Sequence, residues 1–188
     1  MGIVFINHAV HDRRLVDAVV QALAPLTDGR HDVVTTFDVL ASGAHMIERL
    51  ATSLAQASAL TLYTSSYERS DFSQRQAWFS SMRDRSIALA VEPLQAAAIS
   101  SANAGTRGDL FHSNDIDSLF ALLGDEDRRA AWEAAKRELL ARRDELSTPP
   151  LTREEHERIE DEHGVYDFER RTWDRAMQVR ARLFPVFR

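Results

Sequence analysis

Cysteine is absent from the 188 residues of this chain. Its absence excludes disulfide bonds, thiolate nucleophiles and every metal site that needs a cysteine ligand. Seven histidines are present. None of them forms the HxxxH or HExxH spacing that places two metal ligands on one face of a helix. The sequence therefore predicts no metal site.

Long hydrophobic runs and an excess of basic residues are also missing. No stretch approaches the roughly 18 consecutive apolar residues that a membrane-spanning helix needs. The 23 basic residues are outnumbered by 29 acidic ones, whereas a duplex-binding surface concentrates positive charge. No basic segment followed by an apolar one opens the sequence as in a signal peptide. We therefore expect a cytoplasmic protein that binds neither membranes nor nucleic acid directly.

Apolar residues make up 44% of the chain, which is enough for a packed core. Short apolar runs alternate with stretches of helical periodicity, a pattern typical of a parallel sheet with crossover helices. Strands are predicted at residues 3–6, 32–37, 59–63, 86–91 and 109–112. The first helix follows the apolar stripe from Leu15 to Leu26 and has Asp12 as its predicted cap. This pattern predicts a flavodoxin-like α/β domain with a parallel five-stranded sheet and flanking helices over residues 1–123.

Residues 124–188 are predicted to form a charged helical extension. A helix is expected over residues 125–146, and the Pro149-Pro150 pair breaks it. A capping-box pattern in residues 152–155 begins another helix, which Gly164 ends. Four aromatic side chains of this tail need a surface to cover, namely Trp132, Trp173, Phe184 and Phe187. We therefore expect the tail to dock on its own domain or to build a subunit interface.

Three segments resemble the signature boxes of the Toll/interleukin-1 receptor (TIR) domain family. Residues 5–12, FINHAVHD, resemble the first box, with Asn7 where serine is usual. Residues 37–43, FDVLASG, resemble the end of the second strand and the loop after it, with Ser42 where proline is frequent. Residues 62–76, LYTSSYERSDFSQRQ, resemble the third box, S-x-x-Y-x-x-S-x-W-C-x-x-E. The resemblance covers residues 2 to about 123 and does not extend into the tail.

The resemblance implies a stand-alone, prokaryotic-type protein of antiviral defence, a form of innate immunity. Such proteins cleave or cyclise NAD⁺ with release of nicotinamide, so NAD⁺ is the substrate and no cofactor is needed. The glycosidic bond breaks through an oxocarbenium-like state, whose positive charge a nearby carboxylate offsets. The substrate-binding residues that the family implies are Asn7, His8, Asp38 and Phe72. The implied assembly loop, which joins neighbouring subunits in an oligomer, contains Ser42 and Gly43.

Gln76 stands at the position of the family's catalytic glutamate. It keeps the shape of glutamate, but it carries no negative charge and cannot act as a base. Three explanations stay open: an introduced inactivating change, a natural and catalytically silent TIR scaffold, or an acid elsewhere, with Glu48 and Glu68 nearest. We expect the chain as written to be inactive. The alternative function is a non-enzymatic assembly or adaptor module that self-associates or recruits another TIR or effector protein.

Each implied site residue also has a structural role open to it. His8 is placed to bond with backbone at the end of a strand, and Asn7 to form an Asx turn. Asp38 is placed to start a turn after the second strand. Phe72 is placed to join the core at the start of a helix. The sequence leaves both kinds of role open for these four residues.

Overall fold

The computed structural model describes residues 2–27, 29, 31–42, 57–70, 86–90, 106–109 and 128–171. The strands in this part of the chain are β1 (Gly2–Asn7), β2 (His31–Thr35), β3 (Ala57–Tyr63), β4 (Ser86–Ala90) and β5 (Thr106–Asp109). A 3₁₀ turn over Val10–Asp12 precedes the helices, which are α1 (Arg13–Thr27), α2 (Thr36–Ser42), α3 (Ser65–Arg69), α4 (Arg129–Ala141), α5 (Arg143–Leu146) and α6 (Arg153–Glu162). A last helix, α7, occupies residues 165–171.

Every pairing between these strands is parallel. β1 lies between β2 and β3, β3 pairs with β4, and β4 pairs with β5. Ile3 of β1 lies opposite Asp32 on one side and Ala57 on the other. The chain therefore runs from β1 to β2 on one side and crosses back to β3 on the other. The prediction of a mixed α/β chain with a parallel sheet and flanking helices is confirmed.

Two apolar cores cover the two faces of the sheet, because successive side chains of a strand point to opposite faces. Ile6 of β1 and Leu60 and Leu62 of β3 belong to the first core. Helix α1 covers that face with its buried side chains, which include Leu15, Val16, Val19 and Leu23. Ile3, Phe5 and Val34 belong to the second core, which Val39 of α2 helps to cover.

The tail packs on both faces of the sheet. Trp132 and Leu139 of α4, together with Leu146 of α5, lie in the same core as helix α1. Val165 and Phe168 of α7 lie in the core of the opposite face. Of the two expected arrangements, docking on its own domain is the one that the described part of the tail adopts. Trp173, Phe184 and Phe187 fall outside the described residues.

The second strand ends earlier than predicted. β2 stops at Thr35, and residues 36–42, which were expected to finish the strand and form a loop, are helix α2. A reciprocal cap explains the change. The backbone N–H of Thr35 donates to Oδ2 of Asp38 at 2.8 Å, and the N–H of Asp38 donates to Oγ1 of Thr35 at 3.3 Å. This capping box begins a helix directly after Thr35.

Other predicted boundaries also differ in detail. β5 spans Thr106–Asp109, so it begins inside the predicted loop and meets the predicted strand at residues 109–112 only in its last residue. The helix expected over residues 125–146 is interrupted at Arg142, between α4 and α5. Within the described ranges, no helix is both long and apolar enough to cross a membrane.

The predicted start and end of α6 are confirmed. Oγ1 of Thr152 accepts from the N–H of Glu155 at 3.2 Å, and the N–H of Thr152 donates to Oε2 of Glu155 at 2.8 Å. Gly164 follows the helix with a φ of +68°, a left-handed conformation that glycine adopts without a steric penalty. The chain turns there and continues into α7.

Replacing Trp132 with alanine should cost about 3–5 kcal/mol of unfolding free energy, because its indole is only 1% exposed in the core shared with α1. The matched control is Leu140→Ala on the same helix, where the side chain is 38% exposed. Urea denaturation measures both variants against the parent. Equal losses for the two variants would contradict the packing of the tail on α1.

Candidate functional site

Buried polar side chains lie at the carboxyl ends of β1 and β3, which form the carboxyl edge of the sheet. The chain passes from β1 to β2 on one side of the sheet and from β3 to β4 on the other, so the connections that follow β1 and β3 diverge. In open α/β sheets, ligands bind in the crevice that such a divergence creates. Asn7 ends β1 at this edge, and Thr64 follows β3 there.

Asn7 links β1 to helix α3. Its Nδ2 donates to the hydroxyl of Tyr67 at 2.8 Å, and both side chains are completely buried. Its Oδ1 is buried and accepts no hydrogen bond from the described residues. The expected Asx turn needs that oxygen as its acceptor, so the turn is not formed. Asn7 therefore holds two elements of the crevice together and leaves one acceptor inside it.

His8 follows Asn7 and is also completely buried. Its Nδ1 lies 2.8 Å from the carbonyl oxygen of Ala9, and because a carbonyl only accepts, Nδ1 carries the proton. Its backbone N–H donates to Oγ1 of Thr36, and its ring lies 4.6 Å from the ring of Phe37. Burial lowers the pKa of His8 to about 4, so the imidazole is neutral at neutral pH. The backbone-bonded role expected for this residue is thus present.

Asp12 joins three separate segments of the chain. Its carboxylate is 1% exposed, accepts at Oδ2 from the hydroxyl of Thr64 at 2.5 Å, and accepts at Oδ1 from the hydroxyl of Thr148 at 2.7 Å. Thr64 also caps α3 by accepting from the N–H of Tyr67 at 3.0 Å. The residue predicted to cap α1 therefore ties the ends of β1 and β3 to the tail.

A second polar cluster consists of His11, which precedes Asp12 in the sequence, and of His156 and Glu160 from helix α6. Nε2 of His11 lies 3.1 Å from the carbonyl oxygen of His156, and the two imidazole rings are 3.6 Å apart. Side-chain atoms of His11, His156 and Glu160 that could bind a metal ion all lie within 4.8 Å of one another. The Glu160 carboxylate accepts from the hydroxyls of Ser70 at 2.6 Å and Tyr166 at 3.1 Å. This cluster fixes α6 across the carboxyl edge.

A cavity of about 500 Å³ opens onto this cluster. His156 and Glu160 lie in its wall, as do Leu151, Val165 and Tyr166. Burial and the hydrogen bond to Glu160 raise the pKa of Tyr166 to about 12, so the phenol stays protonated and donates. The cavity therefore gives small solutes a route to the cluster.

Other predicted site residues lie apart from the buried edge. Asp38 is exposed and bonds to Thr35 as the cap of α2, the turn-starting role expected for it. Ser42 ends α2, and Glu68 lies exposed in α3. The remaining four, Gly43, Glu48, Phe72 and Gln76, fall outside the described residues.

Sequence reasoning missed the cluster of His11, His156 and Glu160. One signal was available, since the spacing H-x-x-x-E places His156 and Glu160 on one face of a helix. The contribution of His11 had no local signal, because it lies 145 residues before His156. Only the folding of the tail over the sheet edge brings them together.

Comparison with protein-family models, with curated proteins and with solved structures finds no match to this chain.

Lowering the pH should reveal the burial of His8. Its folded-state pKa, about 4, lies below the ordinary value of 6.5, so the unfolded chain binds the proton more readily between these values. This residue's contribution to stability is therefore complete above pH 6.5 and is lost as the pH falls toward 4, by about 3 kcal/mol in total. Asp38 opposes the lowered pKa, whereas His163 and Arg13 add to it.

The measurement is the unfolding free energy of the parent and of His8→Gln from pH 7.5 down to 4.5. The parent should lose more stability over this range than the variant, because other titrating groups are common to both. Parallel curves would show that His8 is accessible to protons in the folded state.

Proposed function

We propose that this chain is a TIR-type domain for NAD⁺ cleavage or cyclisation, and that the described conformation is its closed state. The strand order β2-β1-β3-β4-β5, with every pairing parallel, supports the proposal, because it is the order of flavodoxin-like sheets. Binding of a nucleotide at the β1/β3 crevice is the usual outcome of that topology.

The observation that carries the proposal is the position of Asn7 and His8. Both belong to the first TIR-like box, and both lie at the carboxyl end of β1, where the connections after β1 and β3 diverge. A neutral imidazole and a carboxamide suit hydrogen bonding to ribose hydroxyls without adding positive charge. This matters because the ribose itself becomes positively charged as nicotinamide leaves.

Substrate entry requires a movement of the covering segments. Asn7 and His8 are 0% exposed. The ring of Phe37 lies on His8, and the ring of His163, in the turn between α6 and α7, lies 5.3 Å from Phe37. A dinucleotide reaches these residues only when α2 or the α6–α7 turn shifts. We therefore assign the described conformation to a resting form of the domain.

A second candidate function is a non-enzymatic TIR assembly module. Two observations favour it: Gln76 supplies no carboxylate at the family's acid position, and Asn7 and His8 of the first box are sealed from solvent. In this case NAD⁺ is not consumed, and the domain acts by self-association or by recruiting another TIR or effector protein.

Restoring the charge at position 76 tests the enzymatic proposal. Gln76→Glu should release nicotinamide at least about 10²-fold faster than the parent, because one preorganised electrostatic contact to the transition state is worth that much. Gln74→Glu is the matched control, since it makes the same chemical change two residues away. Chromatography of nicotinamide measures all three proteins. A folded Gln76→Glu variant as inert as the control would leave the assembly module as the function.

The assembly function is tested at the loop after α2, which the resemblance implies is a contact between neighbouring domains. Gly43→Arg should block self-association, because a long charged side chain would obstruct the family-implied contact between neighbouring domains. Ala131→Arg, at an exposed position of α4, is the control. Sedimentation velocity gives the oligomer size, and circular dichroism shows whether the fold is kept. An unchanged oligomer would remove this loop from the interface.

A further inference from the structure

His11, His156 and Glu160 bring side-chain atoms that could bind a metal within 4.8 Å of one another. His156 is 7% exposed and Glu160 is 8% exposed. Nδ1 of His11 and Nε2 of His156 are both buried, and neither has a hydrogen-bond partner among the described residues. A buried polar atom without a partner costs about 1–3 kcal/mol, so two in contacting rings need a physical explanation.

The hydrogen bonds around these residues are those that surround metal ligands. The His156 carbonyl only accepts, so Nε2 of His11 carries the proton and the Nδ1 lone pair is left available. The Glu160 carboxylate is oriented by the hydroxyls of Ser70 and Tyr166. Ligating imidazoles in proteins donate their other N–H to such an acceptor, and ligating carboxylates are themselves hydrogen-bonded.

We propose that His11, His156 and Glu160 bind a divalent transition-metal ion between the β1–α1 connection and helix α6, with Zn²⁺ the best chemical match. Two imidazoles and one carboxylate suit Zn²⁺, whereas Mg²⁺ and Ca²⁺ prefer an all-oxygen shell. Metal–ligand bonds of about 2.1 Å in a tetrahedron bring ligand atoms to about 3.4 Å from one another. The candidate ligand atoms, which now lie within 4.8 Å of one another, therefore reach this spacing with small side-chain movements.

The surroundings of the three residues favour the ion. The cavity beside His156 and Glu160 provides an entry path and room for a fourth ligand such as water.

The proposed ion would lie between two segments of the fold that are far apart in the sequence. It would join the start of α1 to the helix that crosses the sheet edge. It therefore fastens the tail over Asn7 and His8. This inference does not depend on NAD⁺ chemistry, because the ligands and their hydrogen bonds are the same whether or not the domain is an enzyme.

Metal binding is tested on the full, tag-free chain after removal of metal with a chelator. Titration calorimetry with Zn²⁺ should show one site, and the melting temperature should rise with Zn²⁺ concentration, because the ion binds the folded chain preferentially. Mg²⁺ at the same concentrations should change neither. Absence of a saturable Zn²⁺ site in the parent would overturn the proposal.

Paired variants locate the ion. His156→Gln and Glu160→Gln should weaken Zn²⁺ binding by at least about 100-fold. Ser70→Ala removes only a hydrogen bond to the Glu160 carboxylate, so it should weaken binding less, by roughly 10–100-fold. The matched controls, His163→Gln and Glu154→Gln, lie at the end of α6 and in its exposed first turn, and they should keep the parent affinity. Equal affinities in ligand and control variants would show that the ion binds elsewhere.

A measurement on the unchanged protein covers the case in which a ligand variant does not fold. Co²⁺ in place of Zn²⁺ should give a visible absorption band, and its unpaired electrons should broaden the NMR signals of the His11 and His156 rings first. Zn²⁺ should displace the Co²⁺ and restore these signals. Broadening confined to other histidines, such as His31 and His45, would refute the site.

Discussion

The buried carboxylate of Asp12 is the interaction on which the carboxyl edge of this fold depends. A carboxylate removed from water is costly unless hydrogen-bond donors replace the water. Thr64 donates to it from the end of β3, and Thr148 donates from the tail. Because Thr64 also caps α3, the Asp12 side chain links the start of that helix to the path of the tail. Loss of either donor would leave a buried charge undersolvated, so these segments stay together.

The tail is consequently part of the domain's own core. α4 and α5 complete the packing around α1 on one face, and α7 completes the core of the opposite face. The segment between α5 and α7 has to pass over the sheet edge to connect them. That path brings Thr148 to Asp12 and His156 to His11. The segment that connects α5 to α7 therefore also covers the crevice.

Periodicity predicted β1, α1 and β3, because burial in a strand or an amphipathic helix follows a regular spacing along the sequence. The boundary after Thr35 was predicted wrongly, because the β-branched run before Phe37 outweighed the shorter Thr35–Asp38 capping signal. The same kind of signal at Thr152 was recognised, since no strand-like run precedes it. The cluster of His11 and His156 lay beyond sequence reasoning, because contacts across 145 residues depend on how the tail packs. The acid position, Gln76, falls outside the described residues.

The proposed substrate and the proposed metal act on opposite states of one equilibrium. In the proposed function, NAD⁺ binding would require Asn7 and His8 to become accessible, whereas a metal held by His11, His156 and Glu160 would require α6 to stay across the edge. A ligand that binds the closed state therefore weakens the binding of a ligand that needs the open state, and the second ligand weakens the binding of the first by the same factor. A preference of about 1.4 kcal/mol for one state changes the population ratio tenfold. Removing the ion would then favour opening with no change at the crevice itself, so the tail would control access while contributing no group to the chemistry.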